Sequence, residues 1–196
     1  MTLKLNGSTS GSVSIDAPAS TTGGADRTIT LPDRNQIGLG CVLQVIFASK
    51  TDVGGAFSTL AWSDTGLEAS ITPTSTSSKI LIQAKPCLSW DNGTSKVACA
   101  LFKGSESDPL LRADAAGDRL RAHQGWYMPQ NSYQGVPFAL DYLDSPGTIS
   151  PTTYKVRVSA LDNTGSIYLN RGTDYDTDAT NHFRTVSTIT LMEIAA

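Results

Sequence analysis

The chain has 196 residues, of which 17% are charged, with a formal net charge of −3 and a pI near 5.2. Its fifteen Lys and Arg are scattered among eighteen acids, which argues against a nucleic-acid partner, because phosphate binding needs clustered cations. No apolar run reaches the eighteen residues of a membrane span, and the first residues lack the basic and apolar regions of an export signal, so synthesis and assembly in the cytoplasm, without membrane insertion, is the expectation.

The length suits one domain with an appendage. Hydroxyl-rich, β-branched, charge-poor sequence suits strands, and no dozen-residue stretch carries a helical stripe, which predicts an all-β fold. The first forty residues hold three short alternating pieces, LKLNG from Leu3, SVSID from Ser12 and RTITLPD from Arg27, separated by Gly, Ser and Thr. None is long enough to bury a core of its own. Residues 1–40 are therefore expected to form an extended attachment arm with short strands, whose apolar contacts are Leu3, Leu5, Val13, Ile15, Ile29 and Leu31.

After the Gly-flanked joint IGLG (Ile37 to Gly40), residues 41–196 are predicted to form the head. CVLQVIFA, from Cys41 to Ala48, is almost wholly apolar and predicts a strand buried on both faces. Further strands are expected over 57–62, 66–72, 79–90, 96–102, 119–123, 134–143, 153–161, 166–170 and 185–194, punctuated by polar and Gly-rich turns. The clearest is 153–161, where Tyr154, Val156, Val158 and Ala160 alternate with Lys155, Arg157 and Ser159. In the last strand Val186, Met192 and Ile194 point one way while Ile189 and Leu191 point the other, so the second face needs a cover, either another subunit or the arm. About ten short strands fit a jelly-roll-like β-sandwich head, which architectural analogy makes a homotrimer.

A hairpin of 79–90 with 96–103 around the turn 91–95 would place Cys87 opposite Cys99. Two readings follow: a pair of small buried thiols in a reducing cytosol, or a cross-strand disulfide formed after lysis. There is no C-x-x-C, and His123 and His182 are the only histidines, so zinc-site spacing is absent.

The LKLNGSTSG, SIDAP and RTITLPD pieces of the arm, together with the closing STITLMEIAA (Ser187 to Ala196), resemble small tail-fibre-like virion surface proteins of tailed bacteriophages, those of marine and cyanobacterial phages in particular. The two ends carry the resemblance; between them only the strand pattern agrees. It implies an arm ahead of a compact β domain, a place on the virion surface, and docking to other tail or capsid proteins through the arm.

Little offers itself for chemistry. There is no G-x-S-x-G elbow, Walker loop or H-E-x-x-H, and neither enzymatic activity nor a cofactor is expected. Asp174, Asp176 and Asp178 copy the first three ligands of a calcium loop, although Ala179 stands at the turn glycine and Thr185 at the bidentate Glu. They read either as a solvated acidic loop or as calcium ligands shared with a neighbouring chain. Arg112, Arg119 and Arg121, interrupted by Asp114 and Asp118, read as a solvated or interface face.

The segment HQGWYMPQNSYQG, from His123 to Gly135, shows no strand period. Its Trp126, Tyr127 and Tyr133 offer flat apolar faces on which sugar rings stack, and Gln124, Gln130 and Asn131 offer hydrogen bonds to hydroxyls. The other reading has Trp126 and Tyr127 plugging the end of the sandwich or a subunit seam. The expected function is that of a short tail fibre or receptor-binding tip, docked by the arm and holding host surface glycan with its loops. A capsid decoration protein is the alternative, and a bacterial lectin or adhesin a third reading, against which the lack of an export signal counts.

Overall fold

In a computed structural model of the chain, residues 2–6, 12–16, 41–91, 96–127, 135–162, 165–172 and 183–196 are described. The chain divides into two compact units, Met1–Gln36 and Ile37–Ala196. In the first, β1 (Thr2–Asn6) and β2 (Ser12–Asp16) pair antiparallel, with Leu3 opposite Ile15 and Leu5 opposite Val13. Strand alternation puts these four positions on one face of the pair. Ile29 and Leu31 lie outside the described residues.

The second unit is an all-β sandwich, and every regular element among its described residues is a strand. In chain order these are β3 (Val42–Lys50), β4 (Gly54–Phe57), β5 (Ser63–Ile71), β6 (Lys79–Lys85), β7 (Cys87–Trp90), β8 (Lys96–Lys103), β9 (Gln124–Tyr127), β10 (Val136–Pro137), β11 (Leu140–Asp144), β12 (Thr152–Ala160), β13 (Ile167–Leu169) and β14 (Ser187–Ile194). They form three antiparallel sheets, ordered β11-β6-β14-β3, β10-β7-β13-β4 and β5-β12-β8-β9.

The first two sheets match position by position: β10 runs on into β11, β6 into β7 and β3 into β4, and β13 and β14 take the corresponding places on either side of an excursion whose ends are bridged at Arg171 and Arg184. They are two halves of one bent layer. One break in it is Pro86, which has no N–H to give a ladder, and another is Asn170, whose φ of 63° leaves the strand region. Counting each continued strand once gives eight paths. The first pairs with the last (β3 with β14, β4 with β13), the second with the seventh (β5 with β12), the third with the sixth (β6 with β11, β7 with β10) and the fourth with the fifth (β8 with β9).

The inward faces of the two layers meet in one core. The second sheet gives it Leu67, Ile71, Leu101, Tyr154 and Val156; the bent layer gives it Ile80, Ile82, Leu88, Leu169, Ile189 and Leu191, all buried. In β12 the alternating Tyr154, Val156, Val158 and Ala160 are buried, and Ser159 on the other side is buried too, its hydroxyl donating to the Leu60 carbonyl. Opposite the step from Lys155 to Arg157 the register shifts, and Gly66 at φ 76° supplies the left-handed residue that such a bulge uses.

Three expectations are corrected. The strand over 79–90 is two strands split at Pro86, and neither pairs with β8. Cys87 therefore does not face Cys99: Cys87 lies opposite Pro137, while Cys99 lies opposite Val158 and Gln124, and both are free thiols. Burial pushes the Cys99 thiol above its usual range. The apolar run after Cys41 is not buried on both faces; β3 is an edge strand with Val42, Val45 and Phe47 exposed. Residues 119–123 form no strand, and the strand arrives at Gln124–Tyr127 instead.

Candidate functional site

β9 is the outermost strand of the β5-β12-β8-β9 sheet and carries the aromatic pair singled out in the sequence. Its pairing sets Trp126 opposite Val97, Tyr127 opposite Lys96 and Gln124 opposite Cys99. Trp126 and Tyr127 are adjacent on a strand, so they leave the sheet on opposite faces. They do not share one platform. Trp126, with Gln124, lies on the side of the core residues Val97 and Cys99; at the sheet edge it remains 49% exposed.

Tyr127, 69% exposed, stands on the outer side with the Lys96 ammonium 6.0 Å from its ring centroid. Lys96 is held in turn by Asp162 at 2.9 Å, and this hydrogen bond raises its pKa. A ring face, an ammonium and a carboxylate thus stand together at one corner, a set able to stack on a sugar and hydrogen-bond its hydroxyls. Burial pushes the nearby His123 imidazole below its usual range, against the pull of Asp141. Gln130, Asn131 and Tyr133 lie outside the described residues, as do Asp174, Asp176 and Asp178. Among the described residues no group of three or more His, Cys, Asp or Glu is placed to hold a metal.

Arg112 and Arg119 are exposed and Arg121 half-buried, on the connection from β8 to β9. They serve that connection: Arg112 pairs with Asp108 at 2.7 Å, Arg119 donates to the Ala116 carbonyl and Arg121 to the Ala113 carbonyl.

Two buried polar centres hold the sandwich itself, away from this corner, and the sequence reading missed both. At the bend, Asn170 donates through Nδ2 to the carbonyls of Lys50 and Asp52, and its Oδ1 accepts from the Ser187 hydroxyl, which itself accepts from the Cys87 amide. One side chain thereby ties the joints of three strand paths, satisfying carbonyls that the bend takes out of the ladder. The second centre is Glu193, fully buried near the end of β14. Burial alone would raise this carboxyl, but hydrogen bonds from Gln44, Ser78 and Thr74 overcome it and hold the pKa down at about 2.

Across the core, Asp144 at the end of β11 accepts from the Tyr154 hydroxyl at 2.7 Å and meets Lys103 at 3.4 Å, linking the two layers. Burial and this carboxylate hold the phenol above its usual range. These three groups are spent on each other and on joining the layers. No protein-family model matches the chain, and no curated protein matches it in sequence.

Proposed function

We propose that the chain is a non-enzymatic structural protein of a tailed-phage virion, a short tail fibre or receptor-binding tip. Its head is a jelly roll, and its N-terminal unit is the attachment arm to other tail proteins. The observation that carries the reading is the pairing of the eight strand paths, first with last and inward to fourth with fifth. A long hairpin wrapped on itself gives this pattern, and it is the plan of the jelly rolls found in capsid and carbohydrate-binding domains. A separate β1-β2 unit ahead of such a head suits a docking segment.

The receptor contact in this reading is the corner of Tyr127, Lys96 and Asp162, with Trp126 and Gln124 on the other side of the same edge strand. Host surface glycan is the ligand class. Tail location is tested by immunogold labelling of purified particles of the phage that encodes the chain, with an antibody raised against the whole protein. Gold at the tail is the expected result. Gold spread over the capsid makes this a decoration protein, and unlabelled particles remove the virion reading.

A further inference from the structure

We propose that the outer face of the β11-β6-β14-β3 sheet is the seat of a second copy of this chain, the two copies being related by a two-fold axis that runs across the strands. The inference does not depend on where on a particle the protein sits.

The registers place Leu143, Leu81, Met192 and Val45 in one row across all four strands. In the next outer row on one side stand Lys79, Ile194 and Val42, and in the next on the other side Asp141, Gln83, Thr190 and Phe47. Val42, Val45, Phe47 and Leu143 are between 48% and 63% exposed. An unbroken apolar row with flanking Val42, Ile194 and Phe47 is a patch, not a scatter of single hydrophobes. Strand β3 runs nine residues with no charge before Lys50 and no proline, so its outward positions add only uncharged side chains to this face.

The arrangement of charge selects the occupant. With the two-fold axis along the Leu143–Val45 row, each residue of that row meets its own counterpart. Val42 then meets Phe47 of the second copy, Ile194 meets Thr190, and Lys79 meets Gln83. Asp141 lands one strand, about 4.8 Å, from Lys79 of the second copy, and symmetry makes that ion pair twice. An axis parallel to the strands would instead set Asp141 on Phe47 of the second copy, burying a carboxylate against an aromatic ring at high cost. The first arrangement is also the aligned mode in which twisted sheets pack face to face.

With the axis on this row, three outer rows overlap, those of Lys79, Leu81 and Gln83 on β6; at about 4.8 Å between strands and about 6.8 Å between rows they make a face of roughly 400 Å² in plan, so the pair removes on the order of 800 Å² in total, the size of a weak pair rather than a permanent one. The proposal is thus a two-fold pair, where the sequence led to the expectation of a three-fold head.

The test is the mass of the full chain by light scattering, with variants. Wild type is expected at twice the 20.7 kDa chain mass. Val45→Glu sets two carboxylates together on the axis and is expected to weaken the pair at least about a hundredfold. Because Val45 is exposed in the single chain, the far-UV spectrum and thermal midpoint of the variant monomer report that it is folded. Asp141→Lys and Lys79→Asp are each expected to weaken the pair at least about tenfold, and the double swap to restore it; this arm decides the matter if Val45→Glu fails to fold. A monomeric wild type at about 100 µM, a three-fold mass, or failure of the double swap to restore would each overturn the proposal. A monomer whose residues 1–36 become protease-sensitive in Val45→Glu overturns it in favour of the arm as the cover.

Discussion

On the outer side of the β5-β12-β8-β9 sheet, Phe102 points away from the core yet is fully buried. On the outer side of the β11-β6-β14-β3 sheet, Phe47 is 63% exposed. The first face makes its own cover. Trp62 meets the Phe102 ring edge-on at 5.2 Å, the Arg157 guanidinium lies 4.5 Å over it, and the connection from β8 to β9 folds back, with Leu110 bonding the Leu101 carbonyl and Arg157 the Glu106 carbonyl. The second face has no such connection among the described residues. The same sandwich thus closes one side with its own chain and leaves apolar side chains of the other exposed, so under the proposed pairing truncations on the two sides differ in kind: one side loses folding stability and the other loses association.

The largest effect is expected at Phe102. Phe102→Ala removes a fully buried ring and is expected to cost about 3–5 kcal/mol in urea unfolding. Val45→Ala, measured alongside in dilute monomer, is expected within about 0.5 kcal/mol of wild type. Equal losses at the two positions would break the contrast between the faces.

This contrast was half legible in the sequence. The alternation of Tyr154, Val156, Val158 and Ala160 gave their burial directly, because a period of two has one wet face and one dry face. The adjacent apolar residues of β3 and of β8 look alike in sequence, yet Val45 and Phe47 are exposed while Ala98, Ala100 and Phe102 are buried. The difference lies in position within the sheet and in a connection that returns from residues 104–123, neither of which is a local property. Trp126 and Tyr127 were visible as aromatics, but their division between two faces depended on Gln124–Tyr127 being a strand, which Gly125 and the following Pro129 obscured. Asn170 carried only the signal of a turn-forming residue after an apolar triplet; its partners at Lys50, Asp52 and Ser187 are up to 120 positions away.

A middle-sized effect is expected at Glu193, on the inner side of the sheet whose outer face is bare. Its folded pKa of about 2 lies below the unfolded value of about 4.3. The carboxylate therefore adds stability that is fully present above about pH 4.3 and is lost as pH falls toward 2. Glu193→Gln is expected to lower stability at neutral pH by about 1–3 kcal/mol and to flatten the fall between pH 5 and pH 2, as read from urea midpoints. An unchanged acid slope in the variant would place the acid sensitivity elsewhere.

The smallest effect is expected on the covered face itself, at the charges that border Phe102. Lys155 lies 3.5 Å from Asp64 and 3.6 Å from Glu68, whose side chains are half exposed, while Arg157 donates to Asp64 at 2.7 Å. Exposed pairs of this kind contribute little, because water screens them and holding long side chains costs entropy. Lys155→Met is accordingly expected to shift stability by about 0.5 kcal/mol or less, and that shift is expected to vanish in about 1 M salt, where the Debye length falls to about 3 Å. Arg157→Met tests the other half of the distinction, since it removes the cation from over the Phe102 ring and the bond to the Glu106 carbonyl as well. Its cost is expected to exceed that of Lys155→Met and to persist in salt, because the loss is of packing and of a fixed hydrogen bond rather than of screened charge. Equal, salt-sensitive losses for both variants would show that ion pairing, not the clamp over Phe102, keeps this face closed.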